Sequence, residues 1–135
     1  MLQSVLINID VDDITKAIQF YTDGLGLRLG RRFDNNFVEL LGLPSPIYLL
    51  QNDSGTVPFP NAKESRNYSR HWSPLHLDFI VDNIEADAHR VVSHGAKIER
   101  EITVKPYGKI AQFSDPFGHG FCLIEFSPKG YDALL

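Results

Sequence analysis

His76 and Asp78 stand two positions apart in a run of alternating apolar and polar residues, so on a strand their side chains share one face. A carboxylate beside an imidazole favours the protonated ring, which suits general acid work or the gripping of an anion. Cys122 is the single cysteine. If its strand lies beside that of His76, the imidazole could serve as base for a thiol nucleophile, a pairing made by geometry rather than by sequence proximity. Such a thiol needs a base or a positive field to lower its pKa; the commoner fate of a buried cysteine is to pack as a small hydrophobe. Arg70-His71-Trp72 carries two rings that either wall a ligand, by stacking or cation–π contact, or plug a module junction or a dimer contact. Gln112 is placed either to donate to a bound carbonyl or to meet solvent. Tyr107 reads either as a pocket edge or as a turn residue, and His119 as a surface residue.

Other chemistries are excluded by what is missing. Gly24-Leu-Gly26 ends a helix instead of opening one, so no helix N-terminus is offered to phosphate. A net charge of −4 without a basic block argues against nucleic acid or an anionic membrane surface. No apolar run approaches the roughly 20 residues that span a bilayer. Met1-Leu-Gln-Ser4 lacks the features of a signal peptide. One cysteine permits no internal disulfide and fits a reducing cytoplasm. Hydrophobic content of 43% and charged content of 22% are those of an ordinary globular chain, and 135 residues make one domain.

The elements that must position these groups occur twice. Ser4 to Ile14 (SVLINIDVDDI) returns as Pro74 to Ile84 (PLHLDFIVDNI), roughly 70 residues on, and a repeat means paired modules sharing a core. In the first copy Val5, Ile7, Ile9 and Val11 alternate with Leu6, Asn8, Asp10 and Asp12, which predicts a half-buried strand. Asp12 or Asp13 caps the helix that follows, whose apolar face is Ile14, Ala17, Ile18 and Tyr21. Strands are expected over Arg28–Arg32, Asn36–Leu41 and Ile47–Gln51. In the second copy Leu75, Leu77, Phe79 and Val81 alternate, and Asp82 to Glu85 has capping-box spacing headed by Asp82. Ile84, Ala88 and Val91 form the helix stripe, Gly95 closes the helix, and strands are expected over Lys97–Thr103, Lys109–Ser114 and Gly120–Phe126. Asn52–Arg70 is polar, carries Pro58 and Pro60, and has no counterpart in either copy. It reads as a surface linker or lid.

A helix packed on a sheet needs an apolar face beneath it, and this fixes the phase of each strand. Val5, Ile7, Ile9 and Val11 face one helix; Leu77, Phe79, Val81, Phe121 and Leu123 face the other. The helix-free faces then carry Leu6, Asn8 and Asp10, and His76, Asp78, Ile80, Cys122 and Ile124. By repeat alignment Tyr48 is the partner of Cys122. Two curved half-sheets would gather these residues into a mixed polar and apolar pocket, although polar residues on the second face of a sheet are often merely solvated. A one-residue slip would turn Glu125 inward instead.

The strand from Leu75 to Ile84, the helix end at His94-Gly95-Ala96, the Asp115-Pro-Phe-Gly118 turn and the Phe20-Tyr-Thr-Asp-Gly-Leu-Gly-Leu27 helix end resemble the vicinal oxygen chelate superfamily. That group includes glyoxalase I, bleomycin-resistance proteins and extradiol dioxygenases. The resemblance covers nearly the whole chain; it speaks for fold more than for reaction, because one scaffold hosts isomerases, lyases, oxygenases and binders. It implies a ring of His, Gln or Glu metal ligands on the first and last strands of each module. His76 matches one such place, Leu6 its first-module counterpart, Cys122 the closing glutamate and Tyr48 the nearest position to the first-module glutamate. His76 with Cys122 could suit zinc but lacks a third ligand unless Asp78 or Asn8 supplies it.

The expectation is an α+β fold with two tandem βαβββ modules forming a cup-shaped mixed sheet, helices on its outer face. It is a single domain, with module 1 at about 1–51, a linker at about 52–73, module 2 at about 74–126 and a tail at 127–135. A small organic ligand would be held by Asn8, Tyr48, Trp72, His76, Asp78, Gln112 and Cys122 without the usual metal site and with no cofactor. The alternatives are a lyase or isomerase acting on a thiol adduct with a divalent ion (Zn, Ni, Mn or Fe) on His76 with Cys122 or Glu125, and a dimeric protein that sequesters a drug or metabolite. A cytoplasmic protein, possible as a homodimer, with a small-molecule partner and neither nucleic acid nor membrane, completes the expectation.

Overall fold

The alternating run near the N-terminus folds as a strand over Ile7–Val11 (β1), and its repeat as a strand over Leu77–Ile80 (β5). The computed structural model describes residues 1–135. They divide into two units, Met1–Ser69 and Arg70–Leu135, each holding one βαβββ module of an α+β fold.

In the first unit β1 leads into a helix over Ile14–Gln19 (α1), a π-helical turn over Phe20–Gly24, and strands Arg28–Asp34 (β2), Phe37–Leu41 (β3) and Ile47–Gln51 (β4). The sheet order is β1-β4-β3-β2, with β1 and β4 parallel and the other pairs antiparallel. In the second unit β5 is followed by a helix over Ile84–Ser93 (α2) and strands Lys97–Lys105 (β6), Gly108–Ser114 (β7) and Gly120–Phe126 (β8). The order β5-β8-β7-β6 repeats the first sheet, again with only the first-last pair parallel. A parallel pair needs a long crossover, and in each module the helix and the two intervening strands supply it.

Strand phase follows from where the apolar side chains go. Val11, Ile14, Ala17, Phe20 and Leu49 are buried in the first unit; Ile84, Ala88, Val91, Phe121 and Leu123 are buried in the second. The rings of Phe113 and Phe121 stack at 5.4 Å, and Phe79 meets Phe121 edge-on at 5.9 Å. Glu125, two positions beyond Leu123, accepts from the Ile84 amide at 2.9 Å, at the first turn of α2. Gln51, at the end of β4, does the same for Ile14 of α1 at 2.8 Å. Each module thus ties the start of its helix to its own last strand, filling one of the amide positions a helix start leaves open.

Two expectations need correction, and one open choice is resolved. Asn83, not Asp82, caps α2, its side chain accepting from the Ala86 amide; Glu85 reaches away to Lys109 instead of back to the cap. Of the two candidates Asp12 and Asp13, the second caps α1. Val5 lies ahead of β1 and is exposed, because the parallel ladder with β4 begins only at Ile7. Within the segment 127–135, Gly130–Leu134 forms a 3-10 turn whose Tyr131 ring packs on Phe126 and Tyr107. That cluster also makes Tyr107 a packing residue at a turn.

The inserted segment belongs with the first unit through Ser69. Arg66 donates to Asp10 of β1 at 2.8 Å and to Thr56 and Val57 at 3.1 Å, while its backbone pairs with Gly55 and Thr56. Tyr68 donates to the Asn52 carbonyl at 2.7 Å, and burial pushes its hydroxyl up to about 12. The linker is therefore a loop clasped onto its own module, and residues from Arg70 onward belong to the second unit.

Candidate functional site

The parallel register sets Asp78 opposite Cys122 on the β5 and β8 faces that look away from α2, and His76, one residue ahead of β5, joins them. One donor atom from each lies within 4.8 Å of the other two. His76 Nδ1 and Asp78 Oδ1 are hydrogen-bonded at 2.9 Å, which leaves the other ring nitrogen for a further partner. Burial pushes the Cys122 thiol up to about 11, and the charge of Asp78 together with its hydrogen bond to the thiol adds to the rise. A thiol held in this way is a poor nucleophile at neutral pH. The Cys–His nucleophile reading is therefore set aside.

Above this group lies a recess of about 220 Å³ lined by Trp72, Leu75, His76, Gln112, Phe121 and Cys122, with Arg70, Ser73 and Gly120 at its margin. Arg70 forms its rim. The guanidinium donates to Glu99 from Nε at 2.5 Å and from Nη2 at 2.9 Å, and also to the His71 carbonyl. It lies so close over Gly120 that a Cβ there would meet Nη2 at 2.7 Å. Glu99 is held below the ordinary carboxylate range, first by the Arg70 hydrogen bond, with further help from Gln112 and Ser114. Gln112 donates to Glu99 at 3.1 Å, so its amide is neither free in solvent nor wholly turned to the recess. Trp72 is 85% exposed, leaving its ring open to a partner.

His119 is half-buried, not a surface residue: its Nδ1 meets His71 Nε2 at 3.1 Å, and the His71 amide donates to Gly118. This pinning brings Arg70-His71-Trp72 to the recess. Glu125, on the opposite side of β8 from Cys122, faces α2 and is occupied by the Ile84 amide. A one-residue slip of phase is thereby excluded, and with it Glu125 as a companion to His76.

Asn8 and Tyr48 belong to the first unit, where they stand opposite each other across β1 and β4. Asn8 is exposed, whereas the Tyr48 ring is buried and its hydroxyl donates to Glu39 at 3.2 Å. Glu39 also takes Arg31 Nη2 at 2.7 Å and the Arg31 amide at 3.2 Å. These hydrogen bonds, those of the Arg31 side chain foremost, hold the Glu39 carboxyl down at about 2. The Phe33, Phe37 and Tyr48 rings cluster beside the pair, centroids 4.6 to 6.2 Å apart. The sequence signal for this network was a lone carboxylate inside the apolar run Val38-Glu39-Leu40-Leu41, which asks for a buried partner. Nothing in the pattern pointed to Arg70 with Glu99, 29 positions apart.

These residues are a poor fit to the divalent ion of metal-dependent relatives. Of the four places the resemblance assigns, Leu6 has no donor atom and the Tyr48 hydroxyl is committed to Glu39. Cys122 brings sulfur where a hard oxygen donor is expected. Only His76 is an ordinary ligand.

The model of the Glyoxalase/Bleomycin resistance protein/Dioxygenase superfamily matches residues 4–123, and the chain belongs to that superfamily. It is 30% identical over 125 residues to the anthracycline biosynthesis protein DnrV of Streptomyces peucetius, a match covering 90% of this chain and 40% of DnrV. The chain thus spans about two fifths of the length of the curated relatives it matches. Among solved structures, TnmS3, an antibiotic binding protein from Streptomyces sp. CB03234, superposes with a TM-score of 0.61 at 23% identity, covering 94% of this chain and 99% of that one. The fosfomycin resistance protein FosX of Listeria monocytogenes, in complex with Mn(II) and sulfate, gives 0.71 at 17% identity, covering 96% and 94%. At such identities the two structures speak for the fold alone. No helix is long and apolar enough to cross a membrane.

Proposed function

We propose that the chain binds a small organic molecule with an aromatic ring system in the recess of the second unit, without the four-ligand metal ring of its metal-dependent relatives. The observation that carries this reading is the lining: the exposed Trp72 and Leu75 side chains supply apolar surface, and His76, Gln112 and Cys122 supply a few polar groups. Ligand sites are built in that proportion. A recess of about 220 Å³ is smaller than the roughly 300–1,000 Å³ of a site that encloses a drug-sized molecule. It takes one edge of such a ligand, and the exposed Trp72 ring offers a stacking surface for the remainder. The names of DnrV and TnmS3 support antibiotic-related aromatic compounds as the class to try first. Sequestration by a homodimer in the cytoplasm is the form this reading takes in a cell, as against turnover of a thiol adduct by a lyase.

Trp72 is the only tryptophan, so its fluorescence reports directly on the recess. Titration with an anthracycline should quench it saturably at one ligand per chain. Calorimetry on Trp72→Ala should show affinity at least about fivefold weaker, since an aromatic contact contributes ~1 kcal/mol beyond its buried area. Absence of saturable quenching by anthracyclines and other polycyclic antibiotics, or equal calorimetric affinity in the variant, overturns the reading.

A further inference from the structure

The segment that carries Trp72 to the recess, residues 70–76, has no regular secondary structure. Trp72 is 85% exposed, so its place is set by the chain on either side and not by packing of the ring. Arg70 ties that chain to Glu99 of β6, and His71 ties it to His119, ring nitrogen to ring nitrogen at 3.1 Å. His119 is the fixed end: its amide donates to the Asp115 carboxylate at 2.9 Å, and its carbonyl accepts from the Asp115 amide at 2.8 Å. A contact between two imidazole nitrogens holds only while one of them lacks a hydrogen and accepts from the other. It survives when the pair is neutral or carries one added proton. With two, both facing nitrogens bear hydrogens, both rings are cations, and they repel.

We propose that His71 and His119 form a proton-sensitive latch, which holds Trp72 in the posture that binds ligand and releases it as the pH falls. His119 lies outside the lining of the recess and acts through His71, so it is a positioning residue. The direction follows from proton counting. The opened pair takes up two protons and the latched pair at most one, so the latch is fully present at neutral pH and is lost on acidification. An imidazole ordinarily changes charge between about pH 5 and pH 8, which sets the range to search. Three fixed charges face the pair. The Asp115 carboxylate, at the His119 amide, favours the first proton; Arg70, bound to the His71 carbonyl, opposes the second; and Glu99 offsets Arg70 from β6. The inference rests on the binding reading for its consequence, a loss of ligand affinity in acid, whereas the latch itself is read without ligand.

The ligand-free test follows the fluorescence anisotropy decay of Trp72, the only tryptophan of the full chain, at about pH 7.5 and about pH 5. The fast component, which reports nanosecond swinging of the ring, should roughly double at the lower pH. His71→Ala and His119→Ala should show the larger fast component at both values, so that the pH step disappears. His76, His89 and His94 remain in these variants, which separates their titration from that of the pair. Circular dichroism at both pH values establishes that the fold is retained, and either variant that folds decides the point. Anthracycline affinity of the wild type should fall about fivefold over the same interval, as for loss of the Trp72 ring, and change less than about twofold in a folded variant. A fast component independent of pH in the folded wild type, or an equal pH step in a folded variant, overturns the proposal, as does unchanged anthracycline affinity while the ring is freed. Failure of anthracyclines to bind at any pH refutes the binding reading alone, and the anisotropy step still decides the latch.

Discussion

Glu125→Ala is the perturbation that most directly tests strand phase, on which the placement of His76, Asp78 and Cys122 depends. The Glu125 carboxylate accepts from the Ile84 amide at 2.9 Å, at the positive end of α2. Loss of a side-chain acceptor at a helix start costs about 1 kcal/mol, and loss of a charge well placed against the helix dipole adds about 0.5 kcal/mol. For 135 residues the unfolding entropy is about 0.28 kcal/mol/K, so ~1.5 kcal/mol corresponds to a fall in Tm of about 5 °C. Glu125→Gln keeps an acceptor oxygen and should lose less than half of that. Thermal unfolding followed by circular dichroism reads both numbers. Ligand quenching of Trp72 should be unchanged in both variants, because Glu125 faces α2 and the recess lies on the other side of β8. A Glu125→Ala chain with undiminished Tm and lost ligand binding would refute the phase, and with it the assignment of the recess.

Three further outcomes follow from the same coordinates. Gly108→Ala should destabilise by roughly 3 kcal/mol or more in urea unfolding, since Gly108 has φ +140° and a Cβ would lie 2.1 Å from the Glu125 carbonyl oxygen. Glu39, held down at about 2, contributes stability that is fully present above the ordinary carboxylate range and lost as pH falls. The gap in urea midpoint between wild type and Glu39→Gln should therefore shrink between about pH 5 and pH 2; a constant gap counts against the Arg31–Glu39 account. With its thiol raised to about 11, Cys122 should react with iodoacetamide at pH 8 some hundreds of times more slowly than a free cysteine, its thiolate fraction being on the order of one in a thousand. Labelling at the rate of the unfolded chain would contradict this.

Alternation made much of the fold legible. It located β4 and β8 to the residue and assigned Phe121 and Leu123 to the helix side, opposite Cys122. The reason is that a two-residue period encodes which face a side chain takes. It does not encode the partner met there. Gln51 and Glu125 as helix acceptors act over 37 and 41 positions, and Arg66 meets Asp10 over 56. His71 finds His119 over 48. None of these leaves a local trace. The cap of α2 falls one position beyond the expected Asp82 because Asp82 and Asn83 have equivalent local chemistry, and the difference between them is decided by where the strand ends. Repeat alignment pairs Tyr48 with Cys122, and in the register Tyr48 stands opposite Asn8 as Cys122 stands opposite Asp78. The engagement of Tyr48 by Glu39 depended on the β3–β4 register, which hydropathy alone leaves open.

The clasp of Arg66 on Asp10 bears on how much extra chain this protein can carry. Gly55 and Thr56 are already stitched to Arg66, so the stretch between them begins and ends at one place. Lengthening a tethered loop is inexpensive: each doubling costs about 0.6 kcal/mol in closure entropy. The exposed turn at Val57-Pro58-Phe59-Pro60 is accordingly the natural port for grafting an epitope or a reporter peptide. The sheet beneath would be spared, because the stitch, not the passenger, sets the distance between the ends.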